Sequence, residues 1–296
     1  MSKKGAVIIN AFGIPGQTVH QAQRLKEEFI KKGVEIDILS QAFLRVQIGN
    51  DNIINDLERY DFIVYLDKDK YLLHLLDKLN VKTFNSHKSI SVCDDKGETY
   101  IELSGKGFNL PKTQFAPLCY SQECEISEQY VISLEQNIGY PMIAKSSYGS
   151  CGSGVYKIDN RKELIKIMQQ LKTIPHMYQQ YLGKHVGKDI RVIVIGGKAV
   201  ASMQRYNPND FRSNLALGGV GTKIEVNDKK YAKVISTSQK VSKVLGLDYC
   251  GVDILLGDDD KPYICEVNSN AFFEGIEKVT SVNVAEKYVE HILNNI

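Results

Sequence analysis

The stretch from Cys250 to Asn268 constrains the fold more than any other part of the chain. Two apolar, β-prone runs, Val252 to Leu256 and Tyr263 to Val267, flank an Asp-rich turn closed by Pro262, a β-hairpin signature. With the turn centred on Asp259–Asp260, Asp253 faces Glu266 across the pair. Asn268, two residues on, projects from the same side as Glu266. Like charges opposed across a sheet repel, and an unpartnered carboxylate in apolar surroundings is costly. Two readings stand side by side. The hairpin shows an ordinary polar outer face, or Asp253, Glu266 and Asn268 form an all-oxygen set of the kind that binds Mg²⁺ or Mn²⁺ beside nucleotide phosphates.

At 296 residues the chain is long enough for two or three compact units. Its 37 Lys and Arg nearly balance 35 Asp and Glu, for a net charge of +2, so nothing demands nucleic acid or an acidic membrane as partner. Met-Ser-Lys-Lys at the start precedes an apolar run too short for a signal sequence, which reads as a first strand. No apolar run reaches membrane-spanning length, and a cytoplasmic protein is expected. The six cysteines show no C-x-x-C spacing and the six histidines are dispersed, so neither a disulfide framework nor a zinc site is expected. Cys250 and Cys265 read as packing residues. Cys151 lies in a glycine-rich loop without a nearby His in sequence to activate it.

The N-terminal third alternates strand and helix. Strands are expected at Ala6–Asn10, Val34–Leu39, Phe62–Leu66 and Val81–Phe84, and helices at Thr18–Lys32 (stopped by Gly33), Ile53–Tyr60 and Lys70–Leu79. That order implies a small parallel sheet with helices on its faces. The loop Asn10 to Gly16 sits where open α/β sheets bind ligands, but it lacks a G-x-G-x-x-G fingerprint and reads as a connector.

Ser89–Lys106 then carries helix-like polar stretches, and Asn109 to Thr113 leads into another strand. A strand from Ile143 runs into Lys145, and Gly149, Gly152 and Gly154 follow closely. Such a loop can wrap an anion with its backbone N–H groups, and Lys145 supplies a point charge for a phosphate. It is not a Walker A motif, and an ordinary hairpin turn looks similar. Farther on, Ile190–Ile195 and Lys198–Arg205 flank a Gly-Gly turn, a second hairpin, with Asp189, Arg191 and Arg205 near its strand ends. Arg212, Ser213 and Asn214 offer a guanidinium, a hydroxyl and an amide in consecutive positions, each a partner for phosphate or carboxylate. Singly, Arg191 reads as a surface strand charge and Arg212 as a loop cation. Their concentration ahead of the Asp253–Glu266 hairpin favours an anion site.

In order and spacing, Asp189-Ile-Arg191, Ala201 to Arg205, Phe211 to Asn214, Gly218-Gly219, Gly251-Val-Asp253, Glu266-Val-Asn268 and Glu274 to Glu277 resemble an ATP-grasp ligase, closest to the RimK-type glutamate ligases. The resemblance covers most of residues 85–296; the first 85 agree only in their α/β texture. It implies an α/β and α+β chain: an N-terminal parallel α/β domain (1–88), a central subdomain with the glycine-rich lid loop (89–176), and a C-terminal metal-binding α+β subdomain (177–296). Lys96 and Lys145 would contact ATP phosphates, with Gly149, Gly152 and Gly154 closing over them. Gln180, Tyr181 and Leu182 would form the hinge that reads adenine, and Asp189 would lie near the ribose or adenine edge. Arg212, Ser213 and Asn214 would approach the phosphates, and Asp253, Glu266 and Asn268 would hold two Mg²⁺ (or Mn²⁺) ions. A homo-oligomer, dimer or tetramer, is also implied.

The resemblance further implies a carboxylate–amine ligase. A substrate carboxylate attacks the γ-phosphate, the metals and cations neutralise the meeting anions, and an amine displaces phosphate from the acyl phosphate. Lys145 and Arg212 would serve the first step and Arg205 the oxyanion of the second, inside a lid that excludes water. The partners expected are ATP, an amino-acid amine donor such as glutamate, and a small-molecule, peptide or carrier-protein carboxylate. One departure bears on the substrate: the family commonly follows Glu-x-Asn with small residues and Pro-Gly, where this chain has Ser269-Asn-Ala271-Phe272-Phe273. A phosphotransferase acting on a hydroxyl and a non-catalytic ATP-binding regulator are the alternative readings.

Overall fold

The computed structural model describes residues 3–12, 16–150 and 152–296. The first unit is a four-stranded, all-parallel sheet in the order β2-β1-β5-β6, formed by β1 (Lys4–Ile9), β2 (Glu35–Ser40), β5 (Phe62–Leu66) and β6 (Thr83–Phe84). Helices α1 (Gln17–Lys31) and α2 (Lys70–Lys78) supply the crossovers. Strand β5 is buried along its whole length, as expected of a central parallel strand covered on both faces.

The helix expected at 53–60 does not form. Strands β3 (Val46–Ile48) and β4 (Ile53–Asn55) make a small antiparallel hairpin instead. The Gly49 N–H bonds the Asn52 carbonyl across the turn at 2.7 Å, and the Asn55 side chain accepts from the Leu57 N–H at 2.9 Å, ending the strand in an Asx turn. Adjacent β-branched Ile53 and Ile54 suit the pleat better than a helix.

The polar stretch after residue 86 is two helices, α3 (His87–Asp94) and α4 (Lys96–Leu103), broken at Asp95. The Asp95 side chain caps α4, accepting from the Gly97 and Glu98 N–H groups at 2.8 and 3.3 Å. That cap sets Lys96 at the first helical position. The middle sheet is antiparallel, in the order β7-β10-β8-β9: β7 (Thr113–Phe115), β8 (Met142–Ser146), β9 (Val155–Ile158) and β10 (His176–Gln180). Helices α5 (Glu128–Asn137) and α6 (Arg161–Leu171) bury Leu134, Leu164 and Met168 against it. The glycine-rich segment lies between the end of β8 at Ser146 and the start of β9 at Val155.

The third sheet is also antiparallel, in the order β13-β12-β11-β14-β15: β11 (Lys188–Ile195), β12 (Lys198–Tyr206), β13 (Val220–Ile224), β14 (Tyr249–Leu256) and β15 (Pro262–Asn268). Both hairpins expected from the sequence are present. Helix α7 (Ala232–Val244) packs beneath this sheet, while α8 (Glu274–Thr280) and α9 (Val284–Leu293) lead back to the first unit. One apolar cluster joins Val7, Leu25 and Phe29 to Ile276, Tyr288 and Ile292. Asn85, 2% exposed, stitches the same join. Its side chain donates to the Tyr249 and Ser269 carbonyls and accepts from the Tyr249 N–H.

Candidate active site

The third sheet sets its charges in a row. Arg191 on β11 pairs with Asp253 on β14, which pairs with Glu266 on β15. Asp189, two residues before Arg191 on the same face, pairs with Arg205 on β12. The facing carboxylates read from the sequence are therefore neighbours, and the repulsion between them is relieved by cations.

Arg191 Nε and Nη2 donate to the two Asp253 oxygens at 2.7 and 2.6 Å, and Arg205 Nη2 lies 2.9 Å from Asp253 Oδ2. Arg205 also grips Asp189 with Nε, at 2.7 Å, and with Nη2. Asp253 and Arg205 are only 2% and 3% exposed, so these ions persist because each meets an opposite charge. Burial pushes the Asp253 carboxyl up, and Arg191 and Arg205 outweigh it, leaving it below the usual carboxylate range. Burial likewise opposes the charge on Arg205, and Asp253 and Asp189 hold it firmly protonated.

Strand β15 carries an irregularity that the sequence did not disclose. Asp253 pairs with Glu266, but Ile254 pairs with Ile264, so Cys265 is an extra residue in a β-bulge. The Tyr100 hydroxyl lies 3.1 and 2.9 Å from the Ile264 and Cys265 carbonyls. As a result Cys265 lines the cleft beside Glu266, with its sulfur 3.9 Å from Lys145 Nζ. The expectation that Cys265 only packs is corrected: it forms part of the site. Cys250 is buried as expected, and Cys151 lies outside the described residues.

A cleft separates the middle and third sheets. Lys96 and Lys145 enter from α4 and β8, and Gln180, the last residue of β10, lines it with Tyr181 and Leu182 just after. Asp189, Arg205, Asp253 and Glu266 face it from the third sheet, and Arg212, Ser213 and Asn214 close it from the loop after β12. Burial opposes the charge on Lys145, and Cys265, Tyr100 and Glu266 sustain it.

The glycine-rich loop is tethered over this cleft by the cations expected to meet phosphates. Lys96 Nζ donates to the Gly149 carbonyl at 2.8 Å and lies 3.3 Å from Glu266. Arg212 Nη1 donates to the Gly152 carbonyl at 2.9 Å, while its Nε and Nη2 bond Asp210. Gly149 and Gly152 line the cleft, whereas Gly154 stands behind them, its carbonyl accepting from the Ser146 N–H at 2.9 Å. Its φ of +69° and a virtual Cβ only 2.1 Å from Ser146 Oγ require glycine there.

Asn268 lines a neighbouring cavity together with Glu266 and Arg191, and Asn214 borders this cavity, the main cleft and a third one. The buried Asn268 Nδ2 has no hydrogen-bond partner among the described residues. With Glu266 it offers oxygen donors suited to a hard divalent cation. Asp253 differs, because both its oxygens are engaged by guanidinium groups. Among the described residues no group of three His, Cys, Asp or Glu side chains is placed to hold a metal by itself. Arg191 is the residue that sequence reasoning undervalued. It is no surface charge, and its partner lies 62 positions away.

Residues 94–292 match the model of the RimK-like ATP-grasp domain. The chain belongs to this family. Within the RimK-like ATP-grasp domain, the two antiparallel sheets face each other across the cleft, and the parallel unit precedes them. The human N-acetylaspartylglutamate synthase A is 33% identical over 223 residues, covering 75% of this chain, which spans only 54% of that protein's length. A probable alpha-L-glutamate ligase from Halorhodospira halophila is 30% identical over 292 residues, with 94% of this chain and 92% of that one covered. Among solved structures, D-alanine–D-alanine ligase from Bacillus anthracis complexed with ATP superposes with a TM-score of 0.73 over 99% of this chain and 97% of its own, at 18% identity. The ATP-grasp ligase PsnB complexed with its minimal precursor gives 0.72 over the whole of both chains, also at 18% identity. These likenesses establish the ATP-grasp fold. No helix among the described residues is long and apolar enough to cross a membrane.

Proposed function

We propose that this chain is an ATP-dependent carbon–nitrogen ligase that joins glutamate, as amine donor, to a carboxylate acceptor through an acyl phosphate. The observation that carries this reading is one cleft that brings Lys96, Lys145 and Arg212 together with Glu266 and Asp253 under a glycine-rich loop. Relatives named as glutamate ligases and as N-acetylaspartylglutamate synthase support the reaction class and the amino acid.

ATP is the substrate that fills the cleft. Its adenine would meet the backbone of Gln180 to Leu182, and its phosphates would take over Lys96 and Arg212 from the loop carbonyls they now bond. Lys145 adds a fixed positive charge to the same wall. A carboxylate approaching the γ-phosphate meets this cationic surface, which offsets the repulsion between the two anions. Glu266 and Asn268, with Asp253 sharing its carboxylate, would hold Mg²⁺, which supplies further charge neutralisation at the phosphates. Arg205, expected from the sequence to meet the oxyanion, is buried with Nε and Nη2 committed to Asp189 and Asp253, and on this reading it positions those carboxylates instead. Arg191 keeps Nη1 free of hydrogen bonds among the described residues and so offers a donor toward the acyl group. The closed loop excludes water, which would otherwise hydrolyse an acyl phosphate.

The test is a mass-spectrometric assay with ATP, Mg²⁺, L-glutamate and a panel of carboxylates that includes N-acetyl-L-aspartate, citrate and short peptides. ADP that appears only with both co-substrates, accompanied by a new amide mass, is the expected result. A phosphorylated product without amine dependence would move the chain to phosphotransfer. Nucleotide binding without turnover would make it a regulator.

A further inference from the structure

The carboxylates of the site fall into two classes. Asp189, Asp253 and Glu266 each have a cationic partner within the protein, and so does Asp94, which lies 3.5 Å from Lys68 and 4.0 Å from Lys70. Asp67 has none among the described residues. It follows β5 at the C-terminal edge of the parallel sheet, where open α/β sheets bind ligands. Among the described residues its carboxylate accepts from the neutral amide of Asn10, just past β1, at 2.8 Å and from the main-chain N–H of Lys68. Of the two lysines that follow closely in sequence, Lys68 pairs with Asp94, and Lys70 donates to the Tyr148 hydroxyl at 3.4 Å.

Asp67 also faces a cavity, and that cavity reaches the chemistry. Its walls include Glu266 and Asn268 of the site, Gly149 of the loop, Arg191, and the Lys68–Asp94 pair. Burial, helped by the nearby Asp69 and Asp94 charges, pushes the Asp67 carboxyl up against the hydrogen bonds from the Lys68 main-chain N–H and the Asn10 amide. A half-buried carboxylate beside Asp94 and Asp69 with no ion-pair partner of its own among the described residues is a cost to the fold. A ligand that brings a positive charge removes that cost.

We propose that Asp67 receives the ammonium group of a free amino-acid substrate, in the cavity between the edge of the N-terminal sheet and the Glu266–Asn268 end of β15. This rests on the ligase reading, which requires an amine beside the reacting phosphate. An α-amino group carries its proton at neutral pH and arrives as the cation that Asp67 lacks. Asn270 lines the same cavity and supplies a donor for the carboxylate end of such a zwitterion. The site thus selects a free amino acid over a carboxylate of the same shape without nitrogen.

Calorimetry with the full chain, Mg²⁺ and a non-hydrolysable ATP analogue tests this with L-glutamate and glutarate, which differ by the ammonium group. The wild type is expected to bind L-glutamate at least about tenfold more tightly than glutarate, the factor a single charge-assisted contact provides. Asp67→Asn is expected to lose most of that preference while keeping the nucleotide-induced melting shift, which reports an intact fold. Should Asp67→Asn not fold, Asn10→Ala, which frees the carboxylate from its orienting bond, is expected to narrow the preference. A preference kept in the variants, or absent from the wild type, overturns the assignment. The two readings fail separately. Amide synthesis from glutamate without an ammonium preference removes only the Asp67 role, and a preference without amide synthesis removes only the ligase reading.

Discussion

Asn85 holds the main chain of Tyr249 at both polar groups, donating to its carbonyl at 2.8 Å and accepting from its N–H at 2.9 Å. A third bond, to the Ser269 carbonyl at 2.8 Å, ties in the loop after Glu266 and Asn268. Asn85→Ala leaves three backbone groups buried without partners. We expect it to cost about 2–4 kcal/mol of stability, measured by urea denaturation. A loss under about 0.5 kcal/mol, the range of an ordinary surface change, would show that the join does not depend on this side chain.

Glu266 faces both the cleft and the neighbouring cavity, and its only cationic partner among the described residues is Lys96 at 3.3 Å. Glu266→Gln keeps the shape and removes the charge. Turnover of ATP is expected to fall on the order of 10²–10³-fold with little change in melting temperature. An unaltered rate would take Glu266 out of the chemistry.

Gly154 separates backbone strain from nucleotide binding. Gly154→Ala meets both a positive φ and the Ser146 hydroxyl, whereas Gly105→Ala meets a φ of +71° with nothing within 4 Å. Each should lose about 1–2 kcal/mol from the left-handed conformation. Only Gly154→Ala should also reduce the melting shift produced by ATP. Equal shifts in the two variants would detach the loop's shape from nucleotide binding.

Acid should weaken the Asp253 cluster in a defined window. Its carboxyl lies below the ordinary range because Arg191 and Arg205 outweigh burial. A depressed group contributes fully above its unfolded value, about 3.9, and loses that contribution as pH falls through the folded value. The urea midpoint should therefore lose nothing from this group between pH 7 and about 5, and should drop below about pH 4. In Asp253→Asn the acid limb should be shallower. An identical limb would mean that other carboxylates set it.

Asp67 carries the opposite sign. Its folded-state carboxyl is raised, so the ligand-free fold loses stability as pH rises from the unfolded value through the folded one. Asp67→Asn is expected to raise the neutral-pH melting temperature of the ligand-free protein. A lowered melting temperature would indicate that the carboxylate is already satisfied.

Much of the site was legible because its spacing is local. Asp253 and Glu266 face each other across a short turn, and the period of two in a strand then places Asn268 on the same side. Paired glycines marked the turn between β11 and β12. What escaped depends on long-range contacts or on single-residue irregularities. The bulge at Cys265 inserts one residue into a run that reads as regular strand, so nothing local marks it. Arg191 looked like a surface charge because its partner arrives from a distant strand. Asp67 stands out only when no lysine or arginine is found paired with it among the described residues. The hairpin at 46–55 was lost to an apparent helix because Asn50 to Asn52 make a turn that a coarse apolar pattern passes over.

The apolar cluster that joins Val7, Leu25 and Phe29 to Tyr288 and Ile292 has a consequence for synthesis. The parallel sheet is translated first, yet one face of its helix α1 is covered by α9. At roughly 5–20 residues per second, tens of seconds separate the emergence of those two helices from the ribosome. During that interval the first unit carries an uncovered apolar face, so a nascent chain is most exposed to aggregation and to chaperone capture just before α9 appears.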